Sequence, residues 1–356
     1  MLSSVLAAYG LTEEECTIRS FGSGLINRTW KITDRNGKEY ILQHINQEVF
    51  RQPRLIAENI DALATFLQQH FPEYLFVRPV NTRKGDSLVC LNEKDWFRLL
   101  PFVSDSHTID VVEDPELAYE AARQFGKFTK LLSAFPVETL HDTLPDFHNL
   151  SLRCQGFETA LQTGNPSRIR EAAPEIAILR QFYPILKEFE QILHHPGFRR
   201  RVTHHDTKIS NVLFDGKGKG LCVIDLDTVM PGYFISDLGD MMRTYLSPVS
   251  EEEKDLSLIS IREEYFLAII RGYLSEMKEE LSTEEIQHVV YAGKFMIFMQ
   301  AIRFLADHLN NDVYYGARYE GHNLVRARNQ ITLLQRLTEK EAVLHNMVMY
   351  YPGSLV

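Results

Sequence analysis

Apolar and polar positions along the first hundred residues change in short, strand-like runs. Thr17 to Phe21, Asn27 to Thr33 and Glu39 to Ile45 are rich in β-branched and aromatic residues, and turn chemistry separates them, which predicts three strands. Gly22-Ser23-Gly24 makes the first turn; Asp34-Arg35-Asn36-Gly37 makes the second, where Asn-Gly supplies the positive φ of a tight hairpin. The period then lengthens, and Ile56, Ile60, Leu63, Ala64 and Leu67 share one face of a helix from about Leu55 to His70. Two more strands near Leu88 to Leu91 and Trp96 to Leu100 complete a β-β-β-α-β-β order. Pro101-Phe102-Val103-Ser104-Asp105 ends this pattern. Beyond it helical spacing dominates, predicting helices over Pro115 to Phe135, about Ile176 to His194, Glu263 to Glu279, Thr283 to Leu309 and Leu324 to His345. A strand pair near residue 218 is the exception. The acidic run Glu251 to Glu253 predicts a helix start, where carboxylates favour the positive end of the dipole. Leu2, Val5, Leu6 and Tyr9 have helical spacing and no basic segment before them, as in a short amphipathic helix and not an export signal.

The length of 356 residues suits two domains, divided by this pattern into a β-rich part at 1–102 and a helical part at 103–356. With 38 basic and 48 acidic side chains the net charge is -10, which works against non-specific binding to nucleic acid or anionic membrane. The four cysteines, Cys16, Cys90, Cys154 and Cys222, form no C-x-x-C pair, which argues against a zinc module or dithiol site and fits a reducing cytoplasm. No run approaches the roughly 18 uninterrupted apolar residues of a membrane helix; Phe295 to Ile302 is bracketed by Lys294 and Arg303. The expectation is a cytoplasmic protein with a small-molecule substrate and no nucleic-acid, membrane or obligate protein partner.

Chemistry concentrates in Arg201-Val202-Thr203-His204-His205-Asp206-Thr207-Lys208-Ile209-Ser210-Asn211, followed by two short apolar strands around a Gly-Lys turn and by Ile224-Asp225-Leu226-Asp227. A hairpin folded about Gly218 would set Asn211 opposite Asp225, close enough for an amide oxygen and a carboxylate to hold one hard cation; Asp227 would share the face of Asp225. Asp206, in the loop feeding the hairpin, would be free to accept a proton. Asp and Asn also serve as plain turn residues, and His204-His205 could ligate a metal if further ligands lay on helices, although the surroundings read as strands.

The H-x-D-x4-N string from His204 to Asn211, the Ile-Asp-x-Asp strand, and Ser236-Asp237-Leu238-Gly239-Asp240 opening a helix resemble the aminoglycoside phosphotransferase and choline kinase group. Arg201 to Lys208, Ile224 to Gly232, Arg303-Phe304-Leu305-Ala306-Asp307 and His322-Asn323-Leu324-Val325-Arg326 resemble the N-acetylhexosamine 1-kinases within it. The resemblance implies an α+β, bilobal protein-kinase-like fold with a small β-rich N-lobe and a large helical C-lobe, using ATP and Mg²⁺ to phosphorylate an amino sugar at its anomeric hydroxyl. It implies that Asp206 deprotonates the acceptor, Lys208 reaches the transferring phosphoryl group, and Asn211, Asp225 and Asp227 face the metal. Gly22, Ser23, Gly24, Asn27, Gln43, Leu100 and Phe102 would line the nucleotide site, and Arg303, Asp307 and Tyr314 the sugar site. His204 and Asp237 would brace the loop.

Two positions depart from the pattern. Gln43 stands where kinases carry a third-strand lysine, leaving Lys208, Arg28 and His44 as candidates for the phosphate-facing cation. Leu25 stands where the hexosamine kinases are expected to carry His. A kinase for another sugar, amino alcohol or aminoglycoside stays open, as does a nucleotide-binding regulator without catalysis.

Overall fold

The computed structural model describes residues 1–22 and 26–350. In chain order the elements are α1 (Leu2–Ala8), β1 (Thr17–Ser20), β2 (Arg28–Thr33), β3 (Glu39–Ile45), α2 (Pro53–His70), β4 (Val89–Leu91), β5 (Asp95–Pro101), β6 (Ser106–His107) and α3 (Pro115–Leu131). Next come α4 (Leu150–Thr163), α5 (Pro166–Glu171), α6 (Ala173–Gln181), α7 (Pro184–His194), β7 (Arg201–Thr203), β8 (Val212–Asp215), β9 (Gly220–Val223) and β10 (Met230–Gly232). The chain ends in α8 (Phe234–Tyr245), α9 (Glu263–Met277), α10 (Thr283–Gln287), α11 (Val289–Leu309), α12 (His322–Glu339) and α13 (Glu341–Met349). Two compact units form. One holds Met1–His107, Ala134–Pro145 and Leu213–Pro231; the other holds Thr108–Ser133, Asp146–Val212 and Gly232–Val356. The β8–β9 hairpin, which forms its own sheet with β6, therefore falls in the same unit as the N-terminal strands, whereas one sequence boundary at residue 102 would place it with the helices.

In the first unit the strands form an antiparallel sheet in the order β1-β2-β3-β5-β4. Thr33 faces Glu39 across the predicted turn, where Asp34 Oδ1 accepts from the Asn36 and Lys38 amides at 2.8 and 2.9 Å and Gly37 takes φ 78°. One sheet face carries Ile32, Tyr40, Leu42, Phe97 and Leu99, and Val5 and Leu6 of α1 pack into that core. Strand alternation puts Lys31, Ile41, Gln43, Arg98 and Leu100 on the other face.

The β8–β9 hairpin repeats the same turn. Asp215 Oδ1 accepts from the Lys217 and Lys219 amides, Gly218 has φ 78°, and Asp215 N donates to Lys219 O at 2.9 Å. Asp215 thus pairs with Lys219, not with Leu221 as a fold about Gly218 requires, because Gly218 sits in the left-handed bulge after the turn. The expected Asn211–Asp225 cross-strand pair does not form. Asn211 closes a 3₁₀ turn, Ile209–Asn211, ahead of β8, and Asp225 lies two residues beyond β9 with φ 61° and ψ 60°.

The second unit is helical. α3 and α9 cross at glycines: a Cβ on Gly272 would fall well inside contact distance of the Tyr119 carbonyl oxygen, and one on Gly126 would lie 3.0 Å from that of Tyr273. α11 is long and apolar enough to cross a membrane by length and composition, contrary to the expectation of no such segment, but 83% of its apolar stretch is buried within the protein, as in a core helix.

Three predicted helices are interrupted. The 176–194 segment breaks before Pro184, which opens α7 because it needs no N–H partner there; the 283–309 segment breaks at His288, and the last one at Lys340. α4, capped by Asn149, is a helix that the hydrophobic pattern did not reveal. The Glu251 to Glu253 run is a turn and not a helix start, with Glu251 drawn to Arg243 and Arg326.

Candidate active site

In the helical unit, β7 leads into a loop whose backbone is held by α8. Asp237 accepts from the His205 and His204 amides at 2.7 and 3.0 Å, using both oxygens. One turn later Asp240 accepts from the Thr207 amide at 2.9 Å, and the Tyr245 hydroxyl donates to the Thr207 carbonyl at 2.6 Å. His204 is fully buried with its ring edge-on to Phe125 and Phe128, and its Nδ1 accepts weakly from the Asp206 amide at 3.4 Å. His205 takes φ 67°, and a Cβ on Gly232 would lie 2.5 Å from its Cε1, so the loop needs a residue without a side chain there. Burial pushes the Asp237 carboxyl up to about 6, partly offset by His204 and the two amides. Burial also raises Asp240, opposed by Arg243 and reinforced by the charge of Asp206.

This clamp presents Asp206. Lys208 Nζ lies 3.0 Å from its Oδ2, and Asn211 Nδ2 donates both to that oxygen at 2.9 Å and to the Asp206 carbonyl at 2.8 Å. Burial raises the Asp206 carboxyl, but the Lys208 ammonium, His204 and the Asn211 amide outweigh it and hold it below its ordinary value. An ionised carboxylate in a fixed orientation is what a proton acceptor for an alcohol requires. Because Asn211 spends its amide nitrogen on Asp206, its amide oxygen is the atom suited to a cation.

The same unit groups the expected sugar-side residues. Arg303 Nη1 donates to Gln300 at 3.2 Å, and its guanidinium lies 5.5 to 5.9 Å from the rings of Phe147, Tyr314 and Tyr315. Arg153 is close enough that burial, followed by the like charge of Arg303, lowers its affinity for protons. His148, stacked on Phe147, meets His205 at 3.2 Å between Nδ1 atoms, which ties this wall to the loop. Tyr314 is 70% exposed. Asp307, expected at the substrate, is buried and spends its oxygens on the Tyr314 and Tyr315 amides and on Asn323, at 2.7, 2.9 and 3.1 Å. It shapes the loop that carries Tyr314.

In the sheet unit, Asp227 does not stand open beside Asp225 as a metal ligand. Its Oδ1 and Oδ2 both bind the guanidinium of Arg98, and Asn27 donates to Oδ2 at 3.0 Å. Arg98 Nε donates to Gln43 Oε1 at 2.8 Å, its register partner across β3 and β5. Burial weakens the hold of Arg98 on its proton, but Asp227, with a smaller push from Asp225, more than offsets this and keeps the guanidinium firmly charged. Lys31, on the same face, pairs with Glu39 at 2.8 Å and lies 3.7 Å over the Phe102 ring. Leu100 shares this face; Leu99 does not. Gly22 has φ 79°, and Ser23, Gly24 and Leu25 lie outside the described residues.

Sequence reasoning passed over Arg98, Asp240, Phe147, His148, Arg153 and Tyr315. Arg98 left a usable signal, being the one charge within Trp96 to Leu100, where a buried cation must have a partner. Asp240 left another, since it repeats Asp237 at i+3 on one helix face.

A β-rich unit and a helical unit with this loop and hairpin define a protein-kinase-like phosphotransferase fold. Among solved structures the chain is similar to a microcompartment-associated aminopropanol kinase, at 15% identity and TM-score 0.68 over 97% of this chain and 98% of that one. Amicoumacin kinase hAmiN, in complex with AMP-PNP, Ca²⁺ and Ami, matches at 16% identity and TM-score 0.63 over 93% and 92%. Choline kinase from Cryptosporidium parvum Iowa II matches at 13% and 0.58 over 96% of each chain. Residues 17–279 match the phosphotransferase enzyme family, and the chain belongs to that family.

Proposed function

We propose that this protein transfers the γ-phosphoryl group of ATP to the anomeric hydroxyl of an N-acetylhexosamine. The observation that carries the phosphotransfer reading is the ionised Asp206 carboxylate, fixed by Asn211 and Lys208 on a loop clamped through its backbone. Asp206 orients the acceptor hydroxyl and takes its proton as the oxygen attacks in line. Lys208 then offsets the negative charge that spreads over the transferring group. The amide oxygen of Asn211 is a hard-oxygen donor of the kind Mg²⁺ takes, the resemblance assigns the Asp225 carboxylate the same role, and Mg²⁺, when bound, would neutralise phosphate charge. The complex of hAmiN with AMP-PNP and Ca²⁺ supports a nucleotide and a divalent ion as partners of this fold.

The charge of the acceptor wall supports an uncharged sugar over an amino alcohol or an aminoglycoside. Arg303 and Arg153 lie among Phe147, Tyr314 and Tyr315, and the Asp307 carboxylate is already committed to three N–H donors. A cationic acceptor meets like charge here, whereas a neutral sugar can lay a ring face on an aromatic and accept from the guanidinium. The sequence resemblance to N-acetylhexosamine 1-kinases points the same way.

The test is ADP release from Mg-ATP with a panel of N-acetylhexosamines, other sugars, choline, ethanolamine and aminoglycosides, with the phosphate located by NMR. Turnover is expected with an N-acetylhexosamine and phosphate at C1. Asp206→Asn should lower kcat by about 10² to 10⁴ and keep nucleotide binding. Near-normal turnover in that variant overturns the mechanism, and turnover confined to amino alcohols overturns the substrate.

A further inference from the structure

The phosphotransfer reading leaves a charge unplaced, because Gln43 occupies the position from which a third-strand lysine meets the nucleotide phosphates. The candidates from the sequence fall elsewhere. Arg28 and His44 are register partners, so alternation turns both toward the α1 side of the sheet, and His44 is bound to Asp95 at 3.1 Å and stacked on Phe97. Lys208 lies in the other unit beside Asp206, where the proposed reaction already uses it at the transferring group. Lys31 is on the Gln43 face but is held by Glu39 and Phe102 at the opposite end of the strand.

Arg98 meets the requirement. It is directly opposite Gln43, on the same face, 3% exposed, and fixed by all three guanidinium nitrogens. Its carboxylate partner comes from the Asp225-Leu226-Asp227 segment. In protein kinases the third-strand lysine is held by a glutamate from the helix that follows. Here α2, which occupies that place in the order, contributes no partner to Arg98 among the bonds that fix it.

We infer that Arg98 on β5 replaces the third-strand lysine as the cation serving the nucleotide phosphates, and that Asp227 replaces the helix glutamate as its anchor. Gln43 keeps the side chain aimed by accepting from Nε, and Asn27 steadies Asp227 from just ahead of β2. Arg98 is a positioning residue: through Asp227 it sets the segment that carries Asp225. A cation moved to the neighbouring strand would thus be the reason that this chain tolerates glutamine at position 43.

The inference rests on the phosphotransfer reading, so the experiment measures nucleotide binding without any sugar acceptor. Calorimetric titration with adenosine, ADP and ATP, each with Mg²⁺, is compared for wild type, Arg98→Met, Arg98→Met with Asp227→Asn, and Arg98→Met with Gln43→Lys. Adding Asp227→Asn to Arg98→Met avoids an unpaired buried carboxylate, so that double variant guards against a folding defect. The expected result is an affinity loss that grows with phosphate number: unchanged for adenosine, about tenfold for ADP and about a hundredfold for ATP. Lysine at position 43 should recover most of the ATP loss by restoring the cation to β3. Equal losses for all three ligands, or no loss in a folded variant, would overturn the inference while leaving phosphotransfer intact. A wild-type protein that binds no nucleotide would overturn the phosphotransfer reading itself, and this inference with it.

Discussion

Asp237→Asn tests the clamp on the Asp206 loop through its pH dependence. In the wild type both carboxylate oxygens accept buried backbone amides, and burial moves the carboxyl from its ordinary 3.8 to about 6. The folded chain therefore holds this proton more tightly than the unfolded chain does. Stability from this group is fully present below pH 3.8, falls as pH rises through 6, and is level above that. At about 1.4 kcal/mol per pH unit between the two values the whole fall is about 3 kcal/mol, of which about 2 kcal/mol remains between pH 4.5 and 7.5. Asparagine does not titrate, and it offers one acceptor oxygen to two amides, so one buried N–H then faces an NH₂ group. That mismatch costs roughly 1 to 3 kcal/mol for the unsatisfied donor. Urea denaturation of both proteins across this range should show the variant less stable at pH 4.5, with the gap narrowing by about 2 kcal/mol by pH 7.5; titrations common to both cancel in the difference. A gap that is constant, or that widens with pH, would refute the assignment of a raised carboxyl at Asp237.

Two other outcomes follow from the packing and the acceptor wall. Gly272→Ala puts a methyl group against the Tyr119 carbonyl, backbone that cannot swing aside, so α3 and α9 must part. The expected loss is about 1 to 3 kcal/mol or more by urea denaturation, and wild-type stability would contradict the close crossing. Arg303→Met removes the guanidinium from among Phe147, Tyr314 and Tyr315 but keeps much of the length of the side chain. It should raise KM for the proposed sugar acceptor about tenfold, the value of one hydrogen bond to a charged group, with KM for ATP unchanged; an unaltered acceptor KM removes Arg303 from the proposed acceptor site.

Much of the local structure was legible in the chain. Asp34 and Asp215 each begin an identical turn because an aspartate followed three positions on by glycine can bond its own backbone and then take a left-handed residue. The strands of the sheet and the face of α2 followed from side-chain period alone, and the kinase-like fold followed from the resemblance carried by the motifs. The motif around Asp206 named the loop, since its chemistry depends on residue types at short spacing.

Tertiary structure decided what depends on partners distant in sequence. The β8–β9 register turned on which glycine took the bulge, and a shift of two residues dissolved the expected pair of Asn211 with Asp225. Asp227 and Asp307 have the residue type of ligands, yet Arg98 and the Tyr314–Tyr315 amides claim them, from 129 and about eight residues away. A carboxylate in a folded chain is assigned by whichever buried donor most needs its charge, because desolvation makes an unpaired partner costly. Spacing along the polymer reports the side chains that chemistry requires, while only the packed fold determines which of them remain to perform it.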